Sequence, residues 1–388
     1  MLLRKGHGRS FKQIQSNGNG AEGAACALPM AVSQREIRVG VVGCGYWGSK
    51  HVRVLSATAG VSEIAIVERD QSLSRRLQRT FPATRSFRNL QAALPHVDAL
   101  VVATPPQTHA RLALMAVREG KHVLVEKPLA TSLVDAELLV EAARLAKSIT
   151  MVGHTFQFNP AVRELRRRLA SGELGKIYYI HSDRLNLGLY RPDVNVVWDL
   201  APHDISILNY LLDSQPNAVI AWGDALAFGD IHDLAYVRLE YTSPKVTGYA
   251  HLSWLDPRKT RTVTVVGSEK MAVYDDLAEE RLRIYDRGLE SDIDGTPLHE
   301  RPPTYRYGDM IVPYIRPDEP LAVQDKHFID SIRTNTEPET SWTTGLAIVA
   351  VLEALQMSML QGRLVRVPNF VATSRRLNSS GVSLRASG

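Results

Sequence analysis

The sequence predicts a doubly wound parallel α/β domain followed by an α+β domain whose sheet is largely antiparallel. Three observations carry this. A glycine-rich turn follows an apolar, β-branched run at 37–42; short β-branched runs then alternate with helical segments as far as residue 153. Beyond 154 several strand-like runs follow one another with few helices between them. Strict alternation means right-handed crossovers and a parallel sheet, whereas runs of strands mean antiparallel neighbours.

The first strand, 37–42, is Ile-Arg-Val-Gly-Val-Val, and a second, 64–67, ends at Glu68. Helical spacing of apolar residues predicts a helix over 72–81, then a strand at 98–103, a helix at 108–119, a strand at 122–125, a helix at 133–146 and a strand at 150–153. In the second half, strands are expected at 176–185, 217–225, 234–241, 246–254, 260–266, 271–274 and 282–285. One helix is expected at 202–212, and two more, 321–334 and 343–362, complete the fold. The boundaries that follow are 1–35 for a leader, 36–154 for the first domain, 155–367 for the second and 368–388 for a tail.

The turn after the first strand reads Gly43-Cys44-Gly45-Tyr46-Trp47-Gly48. Gly43 permits the tight turn, Gly45 lets backbone approach a pyrophosphate, and Gly48 lets the following helix pack on the strand. Glu68, twenty residues past Gly48 and at the end of the next strand, stands where an acid binds the adenosine ribose. An ordinary glycine-rich turn would not require that acid. The pattern is that of a Rossmann dinucleotide site, with NAD as cofactor because a carboxylate repels a 2′-phosphate. Arg69 could stack on adenine or accept that phosphate, so NADP is possible.

The composition is that of an ordinary globular protein, 44% hydrophobic and 22% charged in 388 residues, long enough for two domains. The net charge of +5 lies in the ends: residues 1–36 and 368–388 each carry +3, leaving the body at −1. No basic stripe marks a nucleic-acid face. The two cysteines, Cys26 and Cys44, can form neither a disulfide framework nor a zinc centre, which fits a reducing cytoplasm, and no metal site is assigned. No apolar run is read as a membrane span, and the leader, with Arg4-Lys5 directly after Leu2-Leu3, lacks the core of a secretory signal. The leader, up to about Gln34, and the tail are expected to be disordered, and Met30 could be the true start.

Ligands of such sheets sit beyond the carboxyl ends of the strands. Those positions hold Thr104-Pro105-Pro106, Glu126-Lys127-Pro128 and His154. Pro128 biases Lys127 towards an extended conformation that aims its ammonium, although a lysine at a strand edge is as often a solvated gatekeeper. Asp199 and His203 are four apart around Pro202, a residue tolerated in a first helical turn, so the helix is expected to begin near Asp199 with both side chains on one side. A carboxylate beside an imidazole would hold a general base; a capping Asp and a surface His is the plainer reading.

With these stand ATPPQTH, from Ala103 to His109, and GHTFQFNPAV, from Gly153 to Val162. Together VVGCGYWG, VEKPLA, DLAPHD and these two stretches resemble the Gfo/Idh/MocA family of NAD(P)-dependent oxidoreductases over residues 37–367. GYWG, Asn186-Leu187-Gly188-Leu189 and VNVVWDLAPHD resemble its branch in sugar-nucleotide and polysaccharide pathways, some members of which oxidise carbon 3 of UDP-N-acetylglucosamine. Ser49-Lys50 departs from the Pro-Asn of many such relatives.

The resemblance implies that His203 takes the hydroxyl proton, Asp199 supports it and Lys127 binds the reacting oxygen. It puts cofactor contacts on Gly43, Gly45, Tyr46, Trp47, Gly48, Glu68, Arg69, Thr104, Pro105, His109 and Glu126. Gln157, Asn159, Asn186 and Arg191 are expected at the sugar, Arg191 as a partner for a diphosphate. The resemblance also implies an open-faced sheet used to form a homodimer or homotetramer. The expected partner is a small sugar or nucleotide-sugar, with neither nucleic acid nor membrane. Alternatives are an inositol or aminocyclitol dehydrogenase, a glycosidase that retains NAD, and a non-catalytic nucleotide sensor, which would not need Lys127, Asp199 and His203 together.

Overall fold

The structure is a computed structural model, and it describes residues 35–187, 194–227, 229–289 and 304–370. The leader up to residue 34, most of the tail and Arg191 lie outside the described residues.

The first sheet comprises β1 (Ile37–Val42), β2 (Val61–Val67), β3 (Arg85–Phe87), β4 (Ala99–Val102), β5 (His122–Glu126) and β6 (Thr150–Gly153). Its order is β3-β2-β1-β4-β5-β6 with every pairing parallel, so the chain reverses its winding direction between β1 and β4. That switch point opens a crevice at the carboxyl ends of the two strands. β4 is buried along its whole length, as expected of a strand covered on both faces. The crossovers are α1 (Tyr46–Leu55), α2 (Gln71–Thr80), α3 (Leu90–Ala93), α4 (His109–Arg118) and α5 (Leu133–Ala146). Asp70 caps α2 by accepting from the main-chain N–H groups of Ser72 and Leu73, which sets its start one residue before the expected position. β2 begins three residues earlier than its apolar run suggests, because Val61-Ser62-Glu63 has a polar face outward.

The second sheet has nine strands: β7 (Ile177–Leu185), β8 (Ala218–Asp224), β9 (Leu234–Thr242), β10 (Lys245–Ser253), β11 (Thr260–Gly267), β12 (Met271–Asp275), β13 (Leu282–Leu289), β14 (Tyr305–Ile311) and β15 (Val365–Arg366). The order is β14-β13-β12-β11-β7-β10-β9-β8-β15, antiparallel except for β7 beside β10. The remaining helices are α6 (Pro160–Ala170), α7 (Val196–Leu212), α8 (Pro320–Thr334) and α9 (Trp342–Gln361), of which α8 places Phe328 and Ile329 in the core beneath α1 and the first sheet. Ile180, Val237, Leu239, Ala250 and Leu252 point into a core shared with α7 and α9, while Tyr179, Trp222, Tyr236 and Tyr249 stand exposed on the opposite face.

α3, α6, β3, β14 and β15 were not foreseen. α6 is the largest of these: its arginine-rich face masks a narrow stripe formed by Ala161, Val162 and Leu165. Among the described residues α9 alone has the length and mean apolarity that could cross a membrane. It is packed inside the fold, with Val349, Val351, Leu352 and Leu355 inaccessible. Residues 368–370, assigned to the tail above, are tied down where Gln215 donates to the Pro368 carbonyl and accepts from the Phe370 N–H.

Candidate active site

The turn from β1 into α1 gives each glycine a separate reason. Gly43 has φ +80°, and a Cβ there would stand 2.5 Å from Thr104 Cγ2. A Cβ on Gly48 would overlap the Gly43 carbonyl oxygen. A Cβ on Gly45 would meet nothing within 4 Å, so the direction above the N-terminus of α1 is open. Helix N-termini favour anions, and an unobstructed main chain there is what a pyrophosphate requires.

Glu68 ends β2 and ties the turn down: its Oε2 accepts from the Cys44 N–H at 2.7 Å and its Oε1 from the Asp70 N–H at 3.0 Å. A carboxylate has about four acceptor positions, so capacity for a ribose hydroxyl is left. A cleft of about 490 Å³ opens beside it, lined by Gly43, Gly45, Glu68, Arg69, Thr104 and Pro105 among others. Arg88 and Arg111 also line it and were missed, Arg88 because the three-residue β3 that precedes it gives no periodic signal. Burial, then the neighbouring Glu68 charge, push the Cys44 thiol up to about 12.

Across the crevice, Lys127 follows β5 and reaches the first turn of α7. Its Nζ donates to the Asp199 carbonyl at 2.8 Å and stands 3.7 Å from Asp199 Oδ1, while Trp254 Nε1 donates to Asp199 Oδ2 at 3.2 Å. α7 starts three residues earlier than expected because Asn195 caps it, accepting from the Val197 and Trp198 N–H groups. Pro202 is therefore inside the helix. Lacking an N–H, it leaves the Trp198 carbonyl without its usual helical donor.

His203 lies one turn on, its ring edge-on to Phe156 with centroids 5.0 Å apart. The Asp199 carboxylate is directed at Trp254 and Lys127, and among the described residues the buried Nδ1 of His203 has no hydrogen-bond partner. Burial, then the charges of Lys127, Arg184 and Arg261, hold the imidazole well below its usual range and so keep it neutral. Arg184 is itself fixed by a buried pair with Asp204 at 2.7 Å and lies over the Phe156 ring. His154, after β6, is buried nearby and pushed down to about 4 by burial.

The remaining expected residues divide. Tyr46 and Trp47 are exposed at the start of α1, with the Lys50 ammonium 4.1 and 4.7 Å from their ring centroids. His109 does not line the cleft: it is buried with its ring nitrogens 2.8 Å from the Pro128 and Thr104 carbonyls, joining the turns after β4 and β5 from behind. Glu126 also turns inward, to His51 at 3.0 Å and the Lys127 N–H at 3.2 Å. Gln157 donates to Ser206 Oγ at 2.8 Å, and Asn159 caps α6 while donating to the Tyr274 hydroxyl at 3.0 Å, so both amides are engaged within the fold. Asn186 is at the open end: its N–H donates to the Ser253 carbonyl, one residue before Trp254. Arg191 lies outside the described residues. His51, Asp325, Arg184 and Trp254 were missed, since long-range pairings of single polar residues leave no local pattern.

Residues 37–154 match the family model described as oxidoreductase family, NAD-binding Rossmann fold, and residues 162–273 match the Gfo/Idh/MocA C-terminal domain, together more than half of the chain. The chain belongs to the Gfo/Idh/MocA family. Inositol 2-dehydrogenase 2 of Saccharopolyspora erythraea is 32% identical over 53% of this chain and 63% of its own length, so the alignment spans less than two thirds of that relative. UDP-N-acetylglucosamine 3-dehydrogenase of Acidithiobacillus ferrooxidans is 29% identical over 65% of this chain and 78% of its own. Among solved structures, GenD2 from gentamicin A biosynthesis in complex with NAD superposes with a TM-score of 0.73 at 25% identity, over 91% of this chain and all of that one. The Gfo/Idh/MocA architecture thus accounts for the parallel sheet and the mostly antiparallel second sheet.

Proposed function

We propose that this chain is an NAD-dependent dehydrogenase acting on a secondary hydroxyl of a sugar, and that the sugar is nucleotide-linked, with UDP-N-acetylglucosamine as the leading candidate. The single observation that carries the reading is that Lys127, at the carboxyl edge of a dinucleotide-type sheet, is bonded to the first turn of the helix that bears His203. Gly45, Gly48 and Glu68 would hold NAD, whose nicotinamide supplies the hydride acceptor when bound.

In this reading Lys127 Nζ donates to the hydroxyl oxygen of the substrate and stabilises negative charge as it develops there. His203, neutral and with an unprotonated ring nitrogen, accepts the hydroxyl proton. Asp199 holds Lys127 through its carbonyl and carboxylate, and Trp254 holds Asp199. Asn186 at the open end of β7 is the described candidate for a sugar contact. Arg69, Arg88 and Arg111 would tolerate a 2′-phosphate, and Glu68 favours its absence, so NAD is taken as the cofactor and NADP as the weaker one.

The UDP-N-acetylglucosamine 3-dehydrogenase relative, aligned over 78% of its own length, acts by its name on that nucleotide-sugar, which supports the nucleotide-sugar reading. The inositol 2-dehydrogenase relatives, 32% and 33% identical, support a cyclitol as the second reading. The exposed aromatic face of the nine-stranded sheet is taken as a self-association surface for a homodimer or homotetramer. The test is turnover with UDP-N-acetylglucosamine, a simple inositol and a free hexose, following reduced-nicotinamide absorbance with NAD and NADP in parallel. Activity on the first alone supports the proposal; activity on inositol alone transfers it to the second reading, and none on any of the three contradicts both.

A further inference from the structure

His51 lies on α1, the helix opened by the glycine turn, and is wholly buried. Its Nδ1 is 2.9 Å from Asp325 Oδ2 and its Nε2 is 3.0 Å from Glu126 Oε1. Ionised carboxylates only accept, so an imidazole between two of them must donate from both nitrogens and is therefore an imidazolium. Neither acid is a surface residue: Asp325, on α8, is inaccessible and Glu126 is 8% exposed.

The contact reaches the proposed chemistry directly. Glu126 immediately precedes Lys127, and its second oxygen accepts the Lys127 N–H at 3.2 Å. β6 leaves room for this carboxylate, because a Cβ on Gly153 would stand 2.9 Å from Glu126 Oε1. On the other side Gln324 donates to Asp325 Oδ1 at 3.3 Å and accepts from Thr155 Oγ1 at 2.8 Å. One imidazole thus joins the glycine-turn helix, the strand end bearing Lys127, α8 and the segment after β6.

We propose that His51 is a positioning residue, an imidazolium clamp between Asp325 and Glu126 that fixes the glycine-turn helix to the Lys127 edge and keeps Lys127 on Asp199. The proposal rests on the dehydrogenase reading of the same site. A scaffold needs no buried charges here, since apolar packing would hold two helices as firmly. What the charged clamp adds is control of Glu126: without His51 the nearest cation for that carboxylate is Lys127. The other charged or titratable groups that sense these acids are Arg53, acting on Asp325 and paired with Glu319, and His109 and His154, near Glu126 and Lys127. Burial opposes the His51 charge, yet Asp325 and Glu126 raise it to about 10, in keeping with the geometry.

The test compares His51→Gln with the double variant His51→Gln/Glu126→Gln and the full-length wild type. His51→Gln is expected to lower kcat about 10²-fold, the scale of a misplaced reacting group, with little change in KM for the sugar. The double variant, which removes the uncompensated acid, is expected to recover most of that loss. Unchanged kcat in His51→Gln with only a lower Tm, or a double variant no better than the single, overturns the proposal. Long-range ¹H–¹⁵N spectra of histidine-labelled wild type need neither variant nor turnover: two protonated ring nitrogens on His51 at pH 8 support the clamp, and a neutral tautomer overturns it. If the wild type turns over no sugar, the dehydrogenase reading fails while those spectra still decide the clamp.

Discussion

Lys127 Nζ donates to the carbonyl oxygen of Asp199 at 2.8 Å, and the carboxylate of the same residue stands 3.7 Å away. One residue of the second domain therefore meets the lysine of the first through two groups of unequal dependence on its side chain. Asp199→Asn removes the charge and keeps the carbonyl, whereas Lys127→Met removes the donor altogether. Steady-state kinetics should show kcat falling by roughly 10² to 10⁴ in Lys127→Met and by distinctly less in Asp199→Asn. Equal losses would mean that the carboxylate itself acts on the substrate.

The glycine turn separates folding from cofactor binding. Gly45→Ala puts a methyl into open space, so its Tm should match wild type while calorimetry shows NAD affinity weakened at least about tenfold, as expected when backbone approach to phosphate is blocked. Gly48→Ala forces its methyl onto the Gly43 carbonyl and should lower stability by about 1–3 kcal/mol, the usual cost of overpacking. A destabilised Gly45→Ala with normal NAD affinity would reverse these assignments.

Cys44 sits in that turn with its thiol pushed up to about 12 by burial and the Glu68 charge. At pH 8 its thiolate fraction is only about 10⁻⁴, so iodoacetamide should leave Cys44 unmodified in the native protein and alkylate it after unfolding, as read by peptide mass spectrometry. Rapid native modification would show that the turn opens.

Two imidazoles predict opposite pH behaviour. His203 is depressed by burial and by Lys127, Arg184 and Arg261, so its neutral, base-competent form persists as pH falls through 6.5 and the acid limb of kcat/KM should lie lower. His51 is raised to about 10, above its unfolded value near 6.5. Its stabilising contribution is then complete below about pH 6.5, declines through the interval and is gone above about 10. The Tm deficit of His51→Gln should accordingly narrow between pH 6.5 and pH 10; a constant deficit would contradict the assigned charge.

Much of this was legible in the sequence, for physical reasons that also mark where it ceased to be. β1, α5 and β6 stand where their apolar periods put them, since long or fully buried elements leave a pattern. The start of α7 was not legible because Pro202 alone suggests a first helical turn, whereas the cap that sets the start is Asn195, seven residues earlier. The motifs located Lys127, Asp199 and His203 but not their relation: only the fold shows Asp199 turned to Lys127 and Trp254. His51 and Asp325, 274 residues apart, could not be paired from sequence at all.

In the proposed reaction His203 and Lys127 together carry proton removal and oxygen binding for hydride transfer from a sugar. Its most direct measurement is single-turnover formation of reduced nicotinamide from saturating NAD and UDP-N-acetylglucosamine, comparing wild type with His203→Ala. The rate in His203→Ala should be lower by roughly 10² to 10⁴ with NAD affinity unchanged. A rate within a factor of about two of wild type would contradict it, because removal of a general base cannot be that slight.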